Sequence, residues 1–551
     1  MISLIYGHDI GVHGLVTARA LLAGPLSDLH INGALNIEDV HRWDLLPQHG
    51  TGWPFEFEGR LDLPAERLEL DAHSSAKEAP PLAVRFRVAD YLSHPHWGVA
   101  FNWNRFQVEP LLQLARHLGA QLPDGLQMQG TLDGAIGYSE QGRWQGELAF
   151  QNAAVTIPDS PPVRFEQATL LFDGAHVALP TALVRTSGDD LARIEATYEL
   201  ASGAFNLNVA TDSMKVEGLQ SQASLASVPI LEKVQSGVWK GALRYKRLPG
   251  FEGEWSGALQ LEDVQLSVAG LSAPLHVHSA HARLDGEKVA LEKASVSSGP
   301  LKSQVDYRYE PGAIRPHRVK ISFAELDAAE LESELAPTLR RDRGLLARAL
   351  GLGRTSVPDW LRDQRVDATI SIDLLHLGQA DLRKVKTRLI WNGASAMLAG
   401  ITAAFEDGTV SGRLNIDLRG PDPVYHLAGQ LKSVEWNGGT YDSEASLDTN
   451  GTGPSLMANL RSEGSFTARA FTDAPLDQFD SVSGCYTFAW VKSMPRLRFS
   501  ELRMSAGDEL YLGRGGMQDD GRLLIQVSNG SRQLSMSGTV ARLRLDETSS
   551  Q

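Results

Sequence analysis

Residues 381–420 read DLRKVKTRLIWNGASAMLAGITAAFEDGTVSGRLNIDLRG and divide into three alternating runs, separated by Asn392-Gly393 and Asp407-Gly408. In the first run Val385, Thr387, Leu389 and Trp391 fall on one face and Lys384, Lys386 and Arg388 on the other. That period of two marks a half-buried strand. Asn-Gly and Asp-Gly supply the positive φ angles of tight hairpin turns. Leu414, Ile416 and Leu418 then alternate with Arg413, Asn415, Asp417 and Arg419. The stretch predicts an antiparallel meander with one apolar and one charged face.

The same pattern extends in both directions. Upstream, Phe55, Phe57, Gly59, Leu61 and Leu63 alternate with Glu56, Glu58, Arg60 and Asp62 before Pro64 to Arg67 turns the chain. Downstream, Asn437-Gly438, Asp520-Gly521 and Asn529-Gly530 punctuate strand-like runs as far as Val540.

An internal repeat links these blocks. Trp144, with Leu148 and Phe150 following, returns 111 residues later as Trp255, with Leu259 and Leu261, and the Asp173-Gly174 turn returns as Asp285-Gly286. A helix-like piece recurs between them, at 106–118 and again at 214–225. A longer third copy begins at Leu326, acidic at its start and Arg-rich later, as a helix dipole favours. The expected divisions are 1–140, a repeat entered part-way; 141–254 and 255–365, each a β repeat with a helical crossover; and 366–551, a C-terminal β region. The predicted fold is mostly β: an elongated, twisted antiparallel β-groove built from tandem repeats with short crossover helices.

Composition narrows the function. A net charge of −15 speaks against a general nucleic-acid binder, which needs a surplus of Lys and Arg. The one cysteine, Cys485, lies in the strand-like run GCYTFAW and reads as an inert buried thiol. No run of about 18 apolar residues is present to span a bilayer as a helix. Nucleophile elbows and helical metal-binding histidine pairs are absent, and the clusters Gly513 to Gly516 and Gly351 to Gly353 lack a phosphate-loop context and read as turns. His276, His278 and His281 resemble a metal cluster, but no carboxylate or cysteine stands close by in sequence, so they read as a solvated strand face with no metal. Arg340, Arg341, Arg343 and Arg348 interleave with leucines. They fit either a basic helix facing anionic lipid or a crossover helix with wet arginines.

Several blocks taken together carry a family resemblance: 366–393 (VDATISIDLLHLGQADLRKVKTRLIWNG), 405–418 (FEDGTVSGRLNIDL), and the run from SGCYTFAW at 483 through LYLGRGGMQDDGRLLIQV to SGTV at 537–540. Through them the chain resembles the AsmA-like family of bacterial envelope proteins over its last 230 or so residues. It departs from that pattern at Asp407-Gly408, where the family often has two glycines. The resemblance implies a non-enzymatic periplasmic protein without cofactors, anchored in the inner membrane through a segment absent here. Its expected partners are phospholipid, the bacterial inner and outer membranes, and envelope proteins, with no nucleic acid. It also implies that Met1 is not the start of a complete functional unit. Candidates for lining a lipid groove are the apolar alternators Phe55, Phe57, Leu61, Leu63, Leu148, Phe150, Leu259, Leu261, Ile370, Ile372, Leu374, Leu414, Ile416 and Leu418. Alternation leaves a second covering open for the same face: ordinary β-sandwiches forming a scaffold for a protein or glycan partner.

Overall fold

The computed structural model describes residues 12–42, 52–75, 81–117, 125–156, 162–185, 190–216, 234–335, 359–436, 438–452, 454–472, 475–491, 494–539 and 542–549. The protein is mostly β. It divides into two units, Met1–Gln260 with Arg283–Glu287, and Leu261–Ala282 with Lys288–Gln551. Residue 140 lies in a turn of the first unit and residue 365 at the start of a strand of the second.

In the first unit thirteen described strands, from Val12–Ala23 to Val234–Arg247, each pair antiparallel with the next in sequence. In the second unit sixteen described strands run from Lys288–Ser298 to Arg542–Ser549 in the same manner, with one exception. His317–Asp327 and Arg365–Leu377 are parallel. A parallel pair cannot be closed by a tight turn. Accordingly, two of the four described α-helices fall in this connection: with α1 at Glu109–His117, they are α2 (Ala328–Glu334) and α3 (Asp359–Arg362), and α4 follows at Pro454–Ala458. The Arg-rich stretch containing Arg340, Arg341, Arg343 and Arg348 lies outside the described residues, as do Gly351 to Gly353 and most of the piece expected at 214–225. No described helix is long and apolar enough to cross a membrane.

The turns sit one residue away from the predicted positions. Asn392 is still in the ladder, paired with Ser395, and only Gly393 carries a positive φ. A glycine alone at the first central position is the requirement of a II′ turn. At the second hairpin Glu406 and Asp407 take the positive φ angles while Gly408 pairs with Phe405. Gly408 is needed for a different reason: a Cβ there would lie 2.6 Å from the Lys432 carbonyl oxygen. Gly513 to Gly516 is likewise strand and not turn, since these residues pair with 524–527. A Cβ at Gly513 would meet the Gln526 carbonyl at 1.9 Å, so close strand approach selects glycine here.

A device invisible to simple alternation recurs through both units. In Leu-Glu-Asp-Val (261–264), Leu-Glu-Lys-Ala (291–294), Leu-Arg-Lys-Val (382–385) and Leu-Lys-Ser-Val (431–434) two polar residues separate two apolar ones. The second polar residue, Asp263, Lys293, Lys384 or Ser433, has φ of 52–53°, and the next residue, Val264, Ala294, Val385 or Val434, is buried. Register slips at the last three of these positions. Arg105 before Phe106 and Asn152 before Ala153 repeat the arrangement in the first unit. These are β-bulges, which bend a strand and sharpen its twist. Several are held by an aspartate on the neighbouring strand: the N–H groups of Arg105, Lys293 and Ser433 donate to Asp133, Asp306 and Asp442 at 2.8, 2.9 and 2.8 Å.

The internal repeat is geometric as well as textual. Val108 donates to Gly130 O and Val216 to Gly237 O, and both valines are buried. Gly134 and Gly241 have φ of 137° and 134°, and Leu132 and Trp239, two residues earlier, are each 1% exposed. Facing them, Gly146 and Gly257 stand where a Cβ would come within 2.1 and 2.2 Å of a neighbouring carbonyl oxygen.

The bulges generate a direct test. Replacing Lys384 by Gly, which accepts positive φ without penalty, is expected to leave the urea midpoint unchanged or to raise stability by up to about 1 kcal/mol. Lys384→Val, β-branched in the left-handed region, is expected to lose about 1–2 kcal/mol. Equal stability of the two variants would refute the bulge as a selected feature.

Candidate functional site

The first unit carries an apolar face that passes from strand to strand. Its buried members are Phe55, Leu82, Phe106, Leu132, Ile136 and Leu148, and partly buried aromatics pack against them. The face is concave. The Trp53 and Phe106 rings stack at 5.7 Å with 16° between planes, although two strands, Arg67–Ser74 and Leu82–Ala89, lie between their own. Three ladder steps span about 14 Å in a flat sheet. The sheet must therefore curl toward its apolar side for the rings to meet. Helix α1 gives the same result, since it touches both Leu29–Arg42 and Gln127–Ser139, five ladder steps apart. That separation would be about 24 Å in a flat sheet, against a helix diameter of about 10 Å.

Sequence explains why α1 sits there. The bulge at Arg105 turns Phe106 inward, Val108 and Leu112 are buried behind it, and the Arg116 guanidinium donates to the Leu126 carbonyl. The helix thereby covers part of the concave face and leaves the rest half-open. Phe57 is half-buried on that side, its ring seated over Gly33, where a Cβ would lie 2.4 Å from Cζ.

The candidates fall into three groups. Phe55, Leu148, Leu259, Ile372 and Leu418 are buried by protein. Phe57, Leu61, Phe150, Leu261, Ile370, Leu374, Leu414 and Ile416 are half-buried. Leu63 is 39% exposed and lies beyond its strand, which ends at Asp62, so it does not share the face expected of it. In the second unit the crossover pieces provide cover. Leu331 of α2 packs on the cluster of Leu326, Ile372, Val385 and Ala403. Trp360 and Leu361 of α3 cover Leu418, Ile416 and Trp391. Leu375 joins the first of these clusters and Leu374 does not.

Helix α2 is itself anchored by a carboxylate. Glu334 is 5% exposed, and its Oε2 accepts from Ser298 Oγ at 3.1 Å and from the Ala273 N–H at 3.3 Å. Gly299, at φ 53°, leaves the room, since a Cβ there would sit 2.1 Å from Oε1. Asp327 caps the other end, accepting from Ala329 N–H at 2.7 Å. Toward the C-terminus the strands Arg461–Arg469 to Arg542–Ser549 enclose a filled core around Met536 and Met504, 0% and 1% exposed.

The opposite, charged face is laced by ion pairs across strands. Arg388 makes a two-pronged contact with Asp367, and His376 sits between Asp381 and Glu325, Nδ1 at 2.8 Å from the first and Nε2 at 3.0 Å from the second. Cys485 is half-buried in a strand and free. None of these groups is gathered into a nucleophile with a base. Comparison with family models, with curated proteins and with solved structures finds no match to this chain.

The His376 arrangement predicts a pH profile. Hydrogen bonds to Asp381 and then Glu325 raise its pKa above the ordinary value. Stability from this pair is therefore full below the unfolded pKa of about 6.5 and is lost as pH rises through the raised folded value. An NMR titration of the His376 ring should show the raised midpoint, and Asp381→Asn should move it back down. An unchanged midpoint in that variant would refute the assignment.

Proposed function

We propose that this is a non-enzymatic, AsmA-like protein of the bacterial envelope that holds phospholipid acyl chains on the concave apolar face of its first unit, shielding them between inner and outer membrane. The observation that carries this reading is the curl that brings Trp53 onto Phe106 while Phe57 and Phe150 remain only half-covered. A flat apolar face needs a second sheet; a curved, partly open one accommodates flexible chains whose burial is worth about 0.8 kcal/mol per CH₂. Charged residues on the reverse face suit an aqueous compartment. The sequence blocks described above supply the family element of the proposal, and the periplasmic location and inner-membrane tether follow from it.

A scaffold reading draws on one specific observation, the filled core around Met536. A surface packed by its own side chains has no room for an acyl chain, so the lipid role is assigned to the first unit and not to residues 461–549.

The test uses two positions of opposite character. A photo-crosslinking residue at Phe57 should capture phospholipid in cells, and Phe57→Asp should fold yet lose co-purifying lipid. Ile372, 7% exposed against Leu326 and Val385, is the internal control. Ile372→Asp buries an unpaired carboxylate and should cost several kcal/mol. Purely intramolecular crosslinks at Phe57, with no lipid detected by mass spectrometry, would overturn the proposal.

A further inference from the structure

The fold assembles what the sequence keeps apart. His276 and His278 stand two residues apart on the strand Leu275–Asp285, and Asp263 comes beside them from the strand Glu254–Leu266. One ligand atom from each of the three side chains lies within 4.8 Å of the others. His276 Nε2 is 3.5 Å from Asp263 Oδ1, and the two imidazole rings are 4.2 Å apart. We propose that Asp263, His276 and His278 form a site for a borderline divalent transition-metal ion of the zinc class.

Four features support the assignment. The donor set is two neutral nitrogens and one carboxylate oxygen, which suits zinc and its neighbours and not magnesium or calcium, whose shells are oxygen. The spacing is close to that required. Bonds of about 2.0–2.2 Å in a tetrahedron place ligand atoms about 3.4 Å apart. The His276–Asp263 pair already meets that distance, and the remaining separations are no more than 4.8 Å.

The third feature is the bulge. Asp263 occupies the left-handed position, with φ 52°, and is exposed while the following Val264 is buried. The bulge thereby turns the Asp263 carboxylate away from the Val264 side, onto the face that also carries His276 and His278. The fourth is orientation, because His278 Nε2 lies 2.9 Å from Ser297 Oγ and the ring is held before any ion arrives. A hydrogen-bond partner on the second ring nitrogen of a ligating histidine fixes its direction, and here the Ser297 hydroxyl fills that place, leaving Nδ1 to face the ion.

Three protein donors leave at least one coordination position open, filled by water or an exchangeable anion. The ion would tie two adjacent strands together on the face opposite the buried Val264 and Val277. The site is independent of the lipid reading, since its ligands lie on the exposed side of their strands.

The test is calorimetric titration of the full chain with Zn²⁺, paired with the visible absorption of Co²⁺ as a substitute ion. One equivalent should bind, and the Co²⁺ bands should report mixed nitrogen and oxygen ligation. D263N and H276Q should each weaken Zn²⁺ binding by at least about tenfold. H276Q/H278Q should abolish the event, while H281Q, an exposed histidine on the same strand, should leave it unchanged. Undiminished binding by H276Q/H278Q would overturn the proposal. So would an unchanged affinity in D263N, which would reduce the site to a bare histidine pair. Because all of these side chains are at least partly exposed, circular dichroism of the variants should match the parent, and loss of binding with a native spectrum is the supporting result.

Discussion

A sheet that is apolar on one side and charged on the other must hide the first from water, and everything else in this protein follows from how it does so. The apolar side is covered by curling the sheet on itself, by laying short helices across it, or by filling it entirely. The first unit curls around Trp53 and Phe106 under α1. The second covers Ile372 with α2 and Leu418 with α3, and around Met536 its own side chains fill the core.

Curvature on this scale needs a local source, and the bulges provide it. Each inserts one residue, and so preserves the inward direction of the apolar side chains on both sides of a bend. In a regular strand Leu382 and Val385, three residues apart, would point to opposite faces; the bulge at Lys384 absorbs the odd residue and lets both point inward. The aspartates that accept from the bulged N–H groups replace a ladder bond that the insertion removes. Polar residues on the outer face thereby help to maintain the geometry of the inner one.

The strands and hairpins were legible because their signals are local: alternation along Phe55 to Leu61, and turn dipeptides near 393 and 407. The exact turn positions were not, since the choice between Asn392-Gly393 and Gly393-Ala394 depends on the register of the flanking ladder. The pairs of adjacent polar residues that mark the bulges are plain in retrospect, but a reading by strict alternation treats them as noise. Glycines such as Gly513 were read as turns, because nothing in one strand reveals how close its neighbour's carbonyl will come. The covering of Ile372 and the meeting of Asp263 with His276 and His278 are long-range facts. No window of sequence around either position contains them.

The parallel pair has a consequence for folding kinetics. Nearly every strand bonds to its predecessor through a short hairpin, so the chain can zip from many points with low contact order, each new pairing costing little loop entropy. Joining His317 to Val366 is different, because it closes 49 residues at once. Loop closure grows only by about 0.6 kcal/mol for each doubling of length, yet here it must be met before any ladder bond forms. The sheet on either side can assemble independently, leaving docking of these two strands as the slow step. Before that step the edges at His317–Asp327 and Arg365–Leu377 are both unpaired. That interval is when the chain is most exposed to pairing with another copy of itself.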